Sequence, residues 1–132
     1  MVSINQIYDT IESAVNLVGR PVYCASKREP IPESFPACYI VEDDHSFIRS
    51  AIPLNFSDAP LTRNFSVEVY SSLTNGALTE AREIMDDVEE TMLRMGFIET
   101  YCGQTNNADP SVTRIVGRFT RVFGANDPLE IE

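Results

Sequence analysis

The stretch RNFSVEVYS, residues 63–71, followed by ALTEAREIMDDVEETMLRMGF, residues 77–97, decides the fold. In the first, Phe65, Val67 and Val69 alternate with Asn64, Ser66, Glu68 and Tyr70. That period of two predicts a strand with one face toward a core. Asn75-Gly76 then marks a turn. In the second, Ala77, Ala81, Ile84, Met85, Val88, Met92 and Met95 recur at the helical period, opposite Glu80, Arg82, Glu83, Asp86, Asp87, Glu89, Glu90 and Arg94. This predicts an amphipathic helix closed by Gly96, with its methionines filling core space.

Working outward, Ile4, Ile7, Tyr8, Ile11, Ala14, Val15 and Val18 predict a first helix, with Ser3 as N-cap and Gly19 and Pro21 as its end. Residues 22–25 suit a short strand. Pro30, Pro32 and Pro36 then impose an extended, exposed loop. Ala37–Val41 reads as a strand running into an acidic turn at Glu42, Asp43, Asp44 and His45, with a weak return strand over 47–52. Phe97–Gln104 and Ser111–Phe123 complete the strands, and Gly117 implies a bulge or a close backbone approach. The expected class is α+β: a mainly antiparallel sheet with both helices on one face, in the order α-β-β-β-β-α-β-β. One domain is expected over 1–123, with a flexible acidic tail over 124–132.

The 132 residues carry ten Lys and Arg against twenty Asp and Glu, a formal charge of −10. Such a balance argues against a chain that wraps nucleic acid. Nine of the ten basic residues are Arg, which suits planar, buried or interfacial ion pairs. No run approaches the roughly 20 apolar residues of a membrane span. The opening MVSINQIYD lacks a basic segment followed by an apolar one, so no secretory leader is expected. Cys24, Cys38 and Cys102 form no CxxC pair and suit buried, reduced thiols.

Phosphate-binding glycine loops, G-x-S-x-G and HExxH are all missing from the sequence. The lone His45 has no recognisable nucleophile beside it, so no catalytic residues and no cofactor are expected. Glu42, Asp43, Asp44 and His45 offer hard oxygen ligands, yet they lack EF-hand spacing and read as an exposed hairpin turn, not a metal site. A small metal-dependent enzyme built on that cluster is the reactive alternative; a regulatory binding module is another. Arg114, Arg118 and Arg121 crowd one element while Asp86, Asp87, Glu89 and Glu90 crowd another. Opposed surfaces of this kind favour head-to-tail packing between copies, and pairing within one domain is the competing reading.

The segments RNFSVEVYS, ALTEAREIMDDVEETMLRMGF and TRIVGRFTRVF together resemble the tail terminator, or tail-to-head joining, proteins of long-tailed bacteriophages. The resemblance runs through Val67, Glu68, Val69 and Tyr70; Glu80, Glu83, Ile84, Asp86 and Val88; Gly96 and Phe97; and Arg114, Ile115, Val116, Arg118 and Phe119. It implies a non-enzymatic structural protein, located in the virion and, during assembly, in the host cytoplasm. The family forms a homo-oligomeric ring, a hexamer in the particle, that caps the tail tube and joins it to the head connector. DNA passes through the lumen without specific binding. A head-to-tail adaptor of the same particle is the neighbouring alternative. On this reading the proline-rich loop and the 42–60 segment supply contact arms, the latter through Glu42, Asp43, Asp44, His45, Phe47, Arg49 and Phe56. Arg114, Arg118 and Arg121 would meet Asp86, Asp87, Glu89 and Glu90 of a neighbouring subunit.

Overall fold

Ser3 and Gln6 exchange reciprocal bonds, Gln6 N–H to Ser3 Oγ at 3.2 Å and Ser3 N–H to Gln6 Oε1 at 2.8 Å. This capping box starts α1, Ile4–Asn16, whose Ile7, Ile11 and Val15 are fully buried. A computed structural model describes residues 2–16, 21–29, 32–47, 60–72, 75–107, 109–124 and 127–129. The other elements are β1 (Tyr23–Ala25), β2 (Ala37–Phe47), β3 (Leu61–Ser71), α2 (Ala77–Arg94), β4 (Ile98–Thr105) and β5 (Thr113–Phe123).

Gly76 (φ +81°) opens α2 and Gly96 (φ +83°) ends it, both in the left-handed region that a side chain disfavours. Phe97 N–H reaches Met92 O at 2.9 Å and Gly96 N–H reaches Leu93 O at 3.0 Å. This is a Schellman closure, and it drops the Phe97 ring into the core. There Phe97 meets Phe65 edge-on at 5.5 Å and Phe123 at 5.8 Å between ring centroids.

The five strands lie in the order β1-β2-β3-β5-β4, antiparallel except for β1 beside β2. The chain is thus α+β, with a mainly antiparallel sheet and both helices on one face. Cys38, Ile40, Phe65, Val67, Val69, Ile115 and Phe119 meet α1 and α2 in one cluster. Gly117 marks a close approach: a Cβ there would fall 3.0 Å from the Phe119 ring and 3.1 Å from Met85 Sδ. The bulges lie elsewhere, between Glu42 and Asp44 in β2 and between Glu99 and Tyr101 in β4.

The strand over 37–41 runs six residues further than the alternation suggested. Glu42–Phe47, expected in a turn and contact arm, continues β2 against Phe65–Leu61. Phe47, expected to begin a return strand, therefore ends β2, and residues 48–52 of that expected strand lie outside the described residues. So do Arg49 and Phe56 and the end of the first helix at Gly19.

Candidate interaction face

Two sets of charges flank the sheet, and strand parity decides which side each takes. On the helix side, Arg63 and Arg121 sit directly opposite each other across β3 and β5. Each guanidinium packs over the Phe123 ring, at 5.5 and 4.1 Å from its centroid. Two buried like charges need separate compensation. Arg63 grips Glu42 with two bonds, at 3.1 and 2.9 Å, and donates to Val2 O. Arg121 has carbonyls: Met95 O at the negative end of α2, Pro128 O at 2.8 Å and Leu129 O at 2.9 Å. Burial pulls its guanidinium pKa down, opposed by Asp127.

Among the described residues the other sheet face carries no helix. Its centre is Glu68, fully buried between Tyr39 of β2 and Val116 of β5. Arg114 Nε donates to Glu68 Oε1 at 2.7 Å, and its Nη2 reaches the same oxygen. Arg28 forms an ion pair at Oε2, out of line for a hydrogen bond. Arg114 also lies over the Tyr70 ring. Burial, then Glu68, raises the Tyr70 hydroxyl pKa. The described parts of the expected loop thus fold onto the sheet instead of standing free: Arg28 clamps Glu68, and Phe35 packs against Ala37, Tyr39 and Tyr70.

Toward β4 this face lies open. Arg28, Tyr101, Thr105, Arg114, Val116 and Arg118 line a cleft of about 280 Å³. Arg118 is exposed and lies over the Tyr101 ring. Ile98, Tyr101 and Val122 are 68, 48 and 48% exposed. Among the described residues nothing pairs with the outer edge of the eight-residue β4. Three guanidiniums line this cleft over the single buried carboxylate of Glu68, so it is a positive spot in a strongly negative chain, while Asp43 and Asp44 put negative charge elsewhere on the same face.

The outer face of α2 has the opposite sign. Arg82 reaches Glu89 at 3.0 Å, Asp86 at 3.4 Å and Cys102 Sγ at 3.3 Å. Asp87 is half-buried and Glu90 exposed. Glu89, Glu99 and Cys102 each bring one ligand atom within 4.8 Å of the others, a spacing that a cation can bridge. Arg82 already places positive charge between two of them. Burial, then a hydrogen bond with Glu99, pushes the Glu89 carboxyl up to about 7. The folded state therefore holds a proton that the unfolded chain releases near pH 4.5, so this group's contribution to stability falls as pH rises from there through 7. Glu89→Gln should gain stability relative to the parent between pH 5 and pH 8. Urea denaturation of both proteins at the two pH values measures this, and a constant difference would refute it.

The expected interface residues therefore separate. Arg114 and Arg118 share the helix-free face, with Arg114 engaged by Glu68. Arg121 points into the helix side and is 7% exposed, so it cannot also reach a neighbour. Asp86 and Glu89 are held by Arg82. The acidic cluster at 42–45 does not converge on one point: Glu42 turns in to Arg63, Asp43 accepts from Ser66 and Asp44 from Asn64. His45 lies within β2. Residues 127–129, expected in a free tail, fold back: Gly124 N–H donates to Asp127, and Leu129 packs on the core. Sequence reasoning passed over Arg28, Glu68 as an anchor, and Tyr101. For Arg63 a signal existed, since it shares parity with Phe65 and Val67.

No protein-family model matches the chain, and no curated protein matches it.

Proposed function

We propose that this protein is a structural, non-enzymatic virion subunit of the tail terminator kind. It assembles with copies of itself into a ring that caps the tail tube, meets the head connector and lets DNA pass through the lumen. The single observation that carries the reading is the pair of opposed surfaces. The helix-free face presents Arg118 with exposed Ile98, Tyr101 and Val122 beside an open strand edge, while the outer face of α2 presents Asp86 and Glu90 on the other side of the sheet. Complementary patches on opposite sides of one molecule pack head to tail, and head-to-tail contacts close into rings when the rotation permits. An unpaired edge with apolar neighbours is also a surface that chains cover by pairing.

The interface assigned here uses Arg118, not Arg121, against Asp86 and Glu90 of the next copy. Arg118→Glu should weaken self-association roughly tenfold or more, since like charges then face each other. Light scattering coupled to size exclusion over a concentration series measures it. Asp86→Arg in the same chain should restore part of the loss. Unchanged association by Arg118→Glu would overturn the assignment. Added to polymerising tail tube protein of the same particle, the parent protein should arrest tube growth. Binding to the head connector without arrest would instead identify a neck adaptor.

A further inference from the structure

We propose that Cys24 and Cys38 form a reversible redox pair that closes an intramolecular disulfide between β1 and β2. The two residues are direct partners in the parallel register, Tyr23 with Ala37, Cys24 with Cys38 and Ala25 with Tyr39. Neighbouring strands lie about 4.8 Å apart, inside the ~4.4–6.8 Å that disulfide-bonded Cα atoms span. Partner side chains in register stand on the same sheet face, here the helix side, where both thiols join the core cluster. Each thiol shifts the other's pKa, and the Cys24 thiol donates to Val22 O at 3.7 Å.

The pair is chemically asymmetric in the way a redox couple needs. Cys24 is half-buried, while Cys38 is fully buried behind it. The neighbouring Cys38 thiol stabilises a Cys24 thiolate and lowers its pKa, against the opposing effects of burial and Glu12. The same pairing, then burial, holds Cys38 protonated. Cys24 is therefore the sulfur that meets an outside reagent, and Cys38 is the one that resolves. With a small-molecule disulfide as oxidant, the Cys24 thiolate attacks one sulfur and expels a thiolate, leaving a mixed disulfide. Cys38 loses its proton and attacks the Cys24 sulfur, expelling the second thiolate. The protein loses two electrons and two protons, and the reagent leaves as two thiols.

The bridge would tie down a three-residue edge strand directly before Arg28, and so fix the segment that clamps Glu68. The half-buried Cys24 sulfur leaves the bridge open to an outside thiol, so it can be reduced again. This inference does not rest on the assembly reading.

The test uses the whole chain with oxidised glutathione. After alkylation of remaining thiols, peptide mass mapping should find Cys24 joined to Cys38 and Cys102 alkylated, so that free thiols fall from three to one. Circular dichroism should show the fold intact, and dithiothreitol should restore all three thiols. Cys38→Ser should stop at glutathione on Cys24, which separates nucleophile from resolver. A bridge through Cys102, a bridge between chains, or persistence of both thiols under oxidant that consumes Cys102 would overturn the proposal.

Discussion

Arg63→Met is expected to destabilise the fold by about 3–5 kcal/mol, the range for removing one partner of a buried ion pair. Arg63 is 5% exposed, and its guanidinium makes two bonds to Glu42, one to Val2 O, and contacts to the rings of Phe65 and Phe123. Methionine fills similar volume, so the loss is electrostatic and not a cavity. Glu42, with a side chain 15% exposed, loses its two bonds from Arg63, and the chain before α1 loses its anchor. Adding Glu42→Leu should recover much of the deficit, because a matched apolar pair removes the less compensated charge. Urea unfolding of the two single variants and the double variant forms the cycle. A loss under about 1 kcal/mol for Arg63→Met would mean that Glu42 is compensated without it.

Arg114→Ala is expected to cost about 3 kcal/mol, the low end of the same range, because Arg28 still faces the Glu68 carboxylate. Glu68 has a side chain 1% exposed and cannot turn to water while Arg28 lies on it between Tyr39 and Val116. The conservative Arg114→Lys should recover only part, since an ammonium cannot reproduce the fork on Oε1. A readout specific to this face is the environment of Tyr70, whose ring lies under Arg114. Its near-ultraviolet signal should change in both variants and stay unchanged in Arg63→Met. Equal stability of Arg114→Ala and the parent would show that Arg28 alone neutralises Glu68.

These two arginines also show what the sequence makes legible. β3 and α2 were readable because their apolar positions keep one period from end to end, and Gly96-Phe97 supplied the stop. Arg63 and Arg121 were half readable: each shares parity with apolar neighbours, yet Arg121 was expected at a subunit interface, and nothing local named Glu42 or the carbonyls of Met95, Pro128 and Leu129 as partners. Glu68 read as a solvent-facing strand residue. It is buried with Arg28 on it, a residue from a stretch without periodicity, and such a stretch carries no pattern that predicts where it lands. The acids at 42–44 read as a turn because turns favour them. They remain in a strand because Arg63, Asn64 and Ser66 of β3 satisfy them, a condition set by pairing some twenty residues away.

The parallel strand β1 has a consequence for chemistry at its sulfur atoms. Among the described residues it pairs on one side only, over three residues, in a sheet otherwise built from long antiparallel ladders. Peeling it away breaks few hydrogen bonds, so local opening lies far below global unfolding in free energy. Cys38, sealed in the closed state, meets solvent whenever that strand lifts. The rate at which small reagents label Cys38 is then a clock for the fraying of one strand, and it runs independently of how stable the rest of the molecule is.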